Sequence, residues 1–250
     1  MAVCHIKGLH IGEGKPKICL PIIGKNDDEI FKQVQSFENL KYDLVELRID
    51  YYKDIDRSEK VIALLKQLRE KLSCPILFTY RSLREGGCVQ LTNQTYIQLI
   101  KTVCETQFID LVDIELMSGN QVVFQLLDIA HQNQIKVIMS NHDFEKTPTL
   151  LEMKERLEKM EILGSDILKI AVMPNSKKDV LNLLHLTMEM SEKLSKPLIT
   201  MSMGQMGVIS RICGELVGSA MTFASAGQAS APGQIAVEDM NLLLEAIHHD

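Results

Sequence analysis

Long apolar stretches are missing from this sequence of 250 residues. No run reaches the roughly 18 apolar residues that mark a transmembrane helix, so we expect no membrane association. The opening segment, MAVCHIKGLHIGEGKPK, has no apolar stretch of the kind that a signal peptide carries. These two absences lead us to expect a cytoplasmic protein.

Closely spaced cysteines are also missing, since no CxxC pair occurs and the spacings are irregular. Neither a zinc site nor a disulfide scaffold is therefore predicted, and we expect neither a metal nor an organic cofactor. We interpret the thiols as reduced and mostly buried in an intracellular protein. The six residues are Cys4, Cys19, Cys74, Cys88, Cys104 and Cys213.

The sequence also lacks an excess of positive charge. The formal net charge is -6, whereas proteins that bind nucleic acids are more often basic, so no nucleic-acid partner is expected. Hydrophobic residues make up 46% of the chain and no low-complexity tract occurs. The chain can therefore bury a large core. An anionic ligand would need arginines and lysines gathered locally.

Short apolar runs, rich in β-branched residues, recur along the whole chain and predict strands. Longer segments lie between them. The eight runs are ICLPII (18–23), LVELRID (44–50), PILFTYR (75–81), LVDIEL (111–116), KVIMSNH (136–142), ILKIAVM (167–173), PLITMSM (197–203) and MTFASA (221–226).

The intervening segments show helical periodicity. Ser176 with Asp179 predicts a capping box at the start of one helix. Thr147 followed by Pro148 predicts an N-cap with proline at the first helical position. The last helix is predicted at about 235–248. Segment 58–72 carries one apolar stripe, formed by Val61, Ile62, Leu65, Leu68 and Leu72.

Strict alternation of eight strands with eight helices predicts a parallel sheet, closed as a (β/α)8 TIM barrel of the α/β class. The alternative, an open doubly wound sheet, would carry a glycine-rich first turn. The segment after the first strand, GKNDDE, has one glycine and no GxGxxG. Residues 1–14 are expected to form a short β-hairpin that closes the barrel bottom. No linker is evident, so we expect a single domain over residues 1–250.

Residues 44–50, LVELRID, alternate between apolar and charged side chains. We expect the apolar face to pack against helices. The charged face, Glu46, Arg48 and Asp50, then points into the barrel or its mouth. Because an unpaired buried charge is costly, these groups must pair with one another or meet solvent or a ligand.

Charged side chains interrupt several other predicted strands in the same way. The active sites of such barrels lie at the C-terminal ends of the strands, so we expect residues distant in sequence to converge there. These residues are Glu46, Arg48, Arg81, Glu85, His142 and Lys169.

Lys169 lies in the middle of the apolar run ILKIAVM, where its amine cannot easily reach solvent. Burial near other cations lowers the pKa of an amine, and a neutral amine attacks ketones and aldehydes to form a Schiff base. A buried ion pair is the structural alternative for a lysine of this kind. His142, at the end of another strand, is the natural proton carrier, and Glu85 could orient it.

Six segments, in this order, resemble type I 3-dehydroquinate dehydratase, and the resemblance covers nearly the whole chain. They are ELRID (46–50), FTYRSLREGG (78–87), SNHDF (140–144), LKIAVMP (168–174), TMSMGQMGVISRICGE (200–215) and SAPGQI (230–235).

The resemblance implies a Schiff-base dehydratase of the shikimate pathway, a homodimer that converts 3-dehydroquinate into 3-dehydroshikimate. It implies that Lys169 forms the imine, that His142 is the general acid and base, and that Glu85 positions His142. It implies that Arg211 clamps the substrate carboxylate. The other substrate-binding residues that it implies are Glu46, Arg48, Arg81, Ser230, Gln234, Met201 and Met203. Segment 227–234, GQASAPGQ, has glycine, serine and proline suited to a mobile lid, and a plain flexible loop is the alternative.

Three other functions remain open. A class I aldolase would also use Lys169, with a phosphate site near Gly204 and Gly207. A barrel that only binds a ligand is a second alternative, which turnover would exclude. The third is a metal-dependent lyase, whose ligands would be Glu46, Asp50, Asp113, Glu115 and His142.

Overall fold

The computed structural model describes residues 2–248 of the chain. It begins with an antiparallel hairpin in which β1, Cys4–Ile6, pairs with β2, Leu9–Ile11. Lys7 and Gly8 form the turn, and both have positive φ angles. The hairpin is a sheet of its own.

Eight further strands form a parallel sheet in the order β10-β3-β4-β5-β6-β7-β8-β9. Each strand apart from those at the seam pairs with its sequence neighbours, as the (β/α)8 arrangement requires. The strands are β3, Lys17–Ile22; β4, Leu44–Arg48; β5, Ile76–Thr79; β6, Leu111–Glu115; β7, Lys136–Asp143; β8, Ile167–Val172; β9, Leu198–Ser202; and β10, Met221–Phe223.

The barrel closes through few hydrogen bonds at the seam between β9 and β10. A parallel bridge joins Leu198 to Ser219, and the amide of Ala220 donates to the carbonyl of Leu198 at 2.7 Å. On its other side, the Ala220 carbonyl accepts from the amide of Lys17 at 3.0 Å. The predicted TIM barrel is therefore confirmed, with a seam that is shorter than the other strand pairs.

Helices lie outside the barrel and connect its strands. Four short 3-10 helices begin directly after or close to strand ends, at Ile49–Tyr51, Leu83–Glu85, Leu116–Ser118 and Gln205–Gly207. The α-helices are α1, Asp27–Gln35; α2, Ser58–Lys71; α3, Asn93–Glu105; α4, Asn120–Gln132; α5, Leu150–Leu163; α6, Lys177–Lys193; α7, Ile209–Ile212; α8, Gly214–Val217; and α9, Val237–Ile247.

The helix predictions are confirmed in part. Ser176 and Asp179 form the predicted capping box of α6. The predicted cap at Thr147 is wrong, because Thr149 caps α5 and completes a capping box with Glu152. The signal Thr-Pro-Thr offers two hydroxyls, and the glutamate three residues later selects the second. Ile62 is 36% exposed and lies outside the buried stripe of α2.

The apolar core has two parts, one between the barrel and its helices and one inside the barrel. Outward residues of the strands, such as Val45 and Leu47, pack in one continuous core with the helices. The barrel interior holds a second cluster, in which residues near the strand starts, such as Leu44 and Leu111, lie with the hairpin. The hairpin residues of this cluster are Cys4, Ile6 and Ile11. The hairpin thus covers the barrel bottom, as predicted.

In residues 2–248 no helix is long and apolar enough to cross a membrane. The six cysteines are all free thiols. Cys4, Cys19 and Cys104 are buried, whereas Cys88 is exposed. The remaining two are partly exposed, so the expectation of mostly buried thiols holds for the strand and helix positions and is wrong for Cys88.

Candidate active site at the barrel mouth

A cavity opens at the C-terminal ends of the barrel strands. The structure brings together there all eleven residues that the sequence suggested, from six strands or the loops that follow them. They are Glu46, Arg48, Arg81, Glu85, His142, Lys169, Met201, Met203, Arg211, Ser230 and Gln234.

Lys169 lies in the middle of β8, with its side chain inside the barrel and only 3% of the residue exposed. Its Nζ lies 3.6 Å from Oδ2 of Asp113 and 4.4 Å from the ring centroid of Phe223. One anion and one aromatic face therefore border a buried amine. The side chain also lines the cavity, so the amine is accessible to a molecule bound there.

Arg81 neutralises a group of carboxylates beside this lysine. Its Nη2 lies 2.9 Å from Asp113 Oδ1, and its Nη1 lies 3.0 Å from Glu115 Oε1 and 3.6 Å from Glu85 Oε2. Burial opposes the charge of Arg81, but Asp113 and Glu115 outweigh burial and raise its pKa further. Burial likewise opposes the charge of Asp113, and Arg81 and Lys169 together lower its pKa.

His142 and Glu85 form a buried pair across the mouth. Oε2 of Glu85 lies 3.0 Å from His142 Nδ1 and accepts the His142 backbone amide at 3.0 Å. Burial, with the charges of Arg81 and Lys169, holds the pKa of His142 well below its usual range. Burial, with repulsion from Glu115, raises the pKa of Glu85 to about 8. Near neutral pH the pair therefore holds one ionisable proton, which lies between Glu85 Oε2 and His142 Nδ1.

The Leu83–Glu85 turn brings the Glu85 carboxylate into contact with His142 of β7. It ends at Gly86, whose φ of 86° lies in the left-handed region that glycine adopts readily. The ring of Phe144 packs so closely on Gly86 that a β-carbon there would collide with it. Close contact thus holds the Glu85 turn against the loop that follows His142.

The charges of LVELRID point inward, as predicted. Arg48 binds Asp50 through two parallel contacts, Nε to Oδ1 at 2.8 Å and Nη2 to Oδ2 at 2.9 Å. Asp50 lies in the 3-10 turn after the strand and also accepts the Cys88 amide at 3.2 Å. Glu46 accepts the hydroxyl of Thr79 at 2.9 Å. Glu46 and Arg48 line the cavity, whereas Asp50 orients Arg48 from behind.

Arg211 is the one cavity arginine for which no carboxylate lies within ion-pair distance among the described residues. It lies in α7 and is 2% exposed. Its Nη2 donates to the Pro232 carbonyl at 3.0 Å, Nη1 lies 3.8 Å from Met201 Sδ, and Nε has no hydrogen-bond partner in the described part of the chain. Burial lowers its pKa to about 10. A buried guanidinium of this kind is suited to an anionic ligand.

Segment 227–234 lies over the mouth. Ser230 donates its amide to Gln234 Oε1 at 2.7 Å, and Gln234 Nε2 donates to Ser230 Oγ at 3.0 Å. Gly204 donates its amide to the Pro232 carbonyl at 3.1 Å, which ties the segment to the turn after β9. The segment therefore has its own internal hydrogen bonds, and its Pro232 carbonyl is held by both Gly204 and Arg211.

Two alternatives find little support in this geometry. The phosphate site of an aldolase would need free amides in the turn after β9, but those of Gly204 and Gly207 are bonded within the protein. Among residues 2–248, no three His, Cys, Asp or Glu side chains lie together as a metal site would require. The suggested metal ligands Asp113 and Glu115 are instead bound to Arg81.

Sequence reasoning missed five residues of the cavity wall and the two contacts of Lys169, with Asp113 and Phe223. The five residues are Gly86, Phe144, Ala171, Phe223 and Ala231. Strand alternation could have identified Phe223, because it shares the inward face of β10 with Met221. No sequence pattern indicated that Asp113 lies beside Lys169.

A (β/α)8 barrel with a buried lysine, a histidine–carboxylate pair and three arginines at its C-terminal mouth belongs to the class of barrel enzymes that act on small anionic substrates. Comparison with known proteins narrows this class. The family model described as Type I 3-dehydroquinase matches residues 18–250.

Relatives and solved structures agree with that match. The chain is 45% identical over 246 residues to a 3-dehydroquinate dehydratase of Clostridioides difficile, covering 98% of this chain and 96% of the relative. It is 44% identical over 251 residues to one of Clostridium novyi, covering 100% and 99%. A Geobacillus kaustophilus 3-dehydroquinate dehydratase structure superposes with a TM-score of 0.95 and 38% identity, covering 98% of this chain and 96% of that one.

The chain belongs to the type I 3-dehydroquinase family. It is accordingly a carbon–oxygen lyase, a hydro-lyase that acts on 3-dehydroquinate. The resemblance that the sequence motifs indicated is therefore confirmed over nearly the full length of the chain.

Proposed function

We propose that this barrel mouth dehydrates 3-dehydroquinate to 3-dehydroshikimate through an imine on Lys169. His142 acts as general base and then as general acid, and Glu85 positions His142. The observation that carries the proposal is the burial of the Lys169 amine in the same cavity as the Glu85–His142 pair. A nucleophile and a proton carrier thus border the same cavity.

The reaction follows from these groups. The amine of Lys169 adds to the substrate ketone and expels water, which gives an imine that withdraws electrons from the neighbouring carbon. His142 removes a proton from that carbon, and the resulting enamine expels the hydroxyl group one carbon further on. The imidazolium returns its proton to this hydroxyl, which leaves as water. Hydrolysis of the imine then consumes one water and releases the product, so the net change is loss of one water.

Substrate binding follows from the placement of the arginines. Arg211 holds the substrate carboxylate, because it is buried and has no carboxylate partner within residues 2–248. Ser230 and Gln234 lie on the segment next to it and bind ring hydroxyls. The remaining cavity residues complete the assignment. Glu46, Arg48 and Arg81 order the polar side of the ring, and Met201 and Met203 contact its apolar side.

Assembly and location are proposed on the resemblance alone. We propose a homodimer in the cytoplasm, with residues 1–250 as a single domain. Sedimentation equilibrium tests the dimer, and a single cooperative unfolding transition tests the single domain. A monomeric mass over a wide concentration range contradicts the dimer without affecting the assignment of the active site.

Replacing Lys169 by methionine tests the nucleophile. Methionine keeps the apolar stem, so the fold is retained, while turnover falls by at least about a thousandfold. The matched control is Lys159→Met, which removes an exposed lysine of α5 and leaves turnover unchanged. Loss of the folded state in Lys169→Met, or turnover close to that of the control, contradicts the role of Lys169 as nucleophile.

Replacing His142 by alanine separates proton transfer from imine formation. Turnover falls severely, but an adduct with 3-dehydroquinate still forms on Lys169 and can be trapped by borohydride. Near-normal turnover in this variant removes His142 from the mechanism.

A further inference from the structure

We propose that Arg156 and Asn141 form a positioning relay that confines the proton of Glu85 to the carboxyl oxygen in contact with His142. The relay rests on the proposed function, since it acts through the Glu85–His142 pair. Neither residue lines the cavity, and neither belongs to the eleven residues described above.

The relay is a continuous chain of hydrogen bonds from the helical shell to the catalytic pair. Arg156 in α5 donates from Nη1 to Asn141 Oδ1 at 2.7 Å, and Asn141 Nδ2 donates to Glu85 Oε1 at 3.3 Å. The other oxygen of Glu85 contacts His142 Nδ1 at 3.0 Å. Asn141 is 3% exposed and lies on β7 between two inward-facing residues, so its own side chain lies on the opposite face.

Arginine determines the orientation of the amide. A guanidinium can only donate hydrogen bonds, so the amide oxygen of Asn141 must face Arg156. The amide nitrogen must then face Glu85, where it can only donate. Glu85 Oε1 is therefore an acceptor whether or not the carboxyl is protonated. A proton carried by Glu85 is consequently confined to Oε2, the oxygen that contacts His142.

This confinement matters for acid–base chemistry. With the shared proton held between Glu85 Oε2 and His142 Nδ1, the other ring nitrogen of His142 is left to exchange protons with the substrate. A reversed amide would present its oxygen to Glu85 Oε1. The carboxyl proton would then move to Oε1, away from His142, and the histidine would lose its partner in the reaction cycle.

Other charges also act on the pair, and they are the same in every relay variant. Glu85 faces Arg81, Glu115 and Asp113, and the charges that act on His142 are Arg81, Lys169 and Arg48. Arg156 is the only part of the relay that lies in the helical shell and is partly exposed, which makes it the residue to change. Its replacement alters the amide orientation without touching the cavity.

The test compares Arg156→Met, Arg156→Lys and the control Lys159→Met, which removes an exposed positive charge from the same helix. In Arg156→Met we expect kcat to fall about tenfold with KM nearly unchanged, because the substrate contacts remain while the proton carrier is misplaced. Once the Asn141 amide no longer donates to Glu85, the pKa of Glu85 rises. The alkaline limb of the pH profile therefore moves to higher pH. Arg156→Lys restores most of kcat because lysine is also only a donor.

A double variant tests whether Arg156 acts through Asn141. Adding Arg156→Met to Asn141→Leu should cause no further loss of kcat, since the route is already interrupted. A wild-type kcat and pH profile in Arg156→Met overturns the relay, as does a further loss in the double variant. Borohydride trapping on Lys169 is run on each variant. A trapped adduct together with a wild-type pH profile in Arg156→Met contradicts only the relay. Failure to trap an adduct in the wild type contradicts the imine mechanism itself.

Discussion

Asp113 Oδ2 lies 3.6 Å from the Nζ of Lys169, with the side chains 0% and 4% exposed. Its other oxygen, Oδ1, accepts from Ser140 at 2.6 Å and from Arg81 at 2.9 Å. Oδ2 makes no hydrogen bond within residues 2–248. Asp113 therefore lies between two buried basic side chains, with Arg81 bound closely and the amine of Lys169 at a longer distance.

Replacing Asp113 by asparagine is expected to destabilise the fold. Arg81 loses the closest of its carboxylates, and a buried ion pair broken on one side costs about 3–5 kcal/mol. Urea unfolding measures this loss. The matched control is Asp54→Asn, which breaks an exposed pair with Arg57 and should leave the free energy of unfolding nearly unchanged. Equal stability of the two variants contradicts the structural role of Asp113.

Glu85 makes folding stability depend on pH. Its pKa is raised to about 8 in the folded protein, above the ordinary value of 4.5. The folded state thus holds this proton more tightly than the unfolded chain does. The stability from Glu85 is fully present below its unfolded pKa, and it is lost as pH rises through about 8.

The glutamine of the variant Glu85→Gln cannot ionise, so this variant does not lose stability through residue 85 as pH rises. Urea unfolding at about pH 5 and about pH 9 should show the wild type losing stability relative to Glu85→Gln as pH rises. His142 is present in both proteins, so its own titration largely cancels in the comparison. A difference between the two proteins that stays constant with pH contradicts the raised pKa.

Arg211→Met should weaken substrate binding without weakening the fold. The arginine is buried, no described residue gives it a carboxylate partner, and burial alone lowers its pKa to about 10. Removing it relieves that burial, so urea unfolding occurs at the same or a higher urea concentration. The KM for 3-dehydroquinate rises by at least about tenfold, since a charge-assisted contact is lost. An unchanged KM means that another residue holds the carboxylate.

Thr149→Ala tests the corrected start of α5. The Thr149 hydroxyl accepts the Glu152 amide at 3.3 Å, and the Glu152 carboxylate accepts the Thr149 amide at 2.8 Å. Losing an N-cap hydroxyl costs about 1 kcal/mol in the free energy of unfolding. Thr149→Ser keeps the hydroxyl and should match the wild type. If the serine variant is as unstable as the alanine variant, the cap is not the cause.

The sequence predicted the barrel and its mouth because both depend on local patterns. Alternation in LVELRID placed Glu46 and Arg48 inside the barrel, and the structure shows them there. The place of Lys169 followed from a charge in an otherwise apolar strand. A charged residue that interrupts an apolar strand can be seen in each strand separately, and the barrel topology then brings these residues together at the mouth.

Contacts between strands could not be predicted in the same way. The neighbours of Lys169, Asp113 and Phe223, come from β6 and β10, and their distances depend on register and barrel closure. The relay from Arg156 through Asn141 crosses from a helix to a strand, and the two residues have no shared sequence motif. The cap at Thr149 was missed because a nearby proline gave a competing local signal.

The central claim is that Lys169 is the nucleophile. Its most direct test is the intact mass of the protein after incubation with 3-dehydroquinate and borohydride, followed by peptide mapping. The account predicts one reduced adduct, on Lys169, which is absent from Lys169→Met and present in Lys159→Met. A folded wild-type protein without any adduct, or an adduct that persists in Lys169→Met, contradicts the imine mechanism.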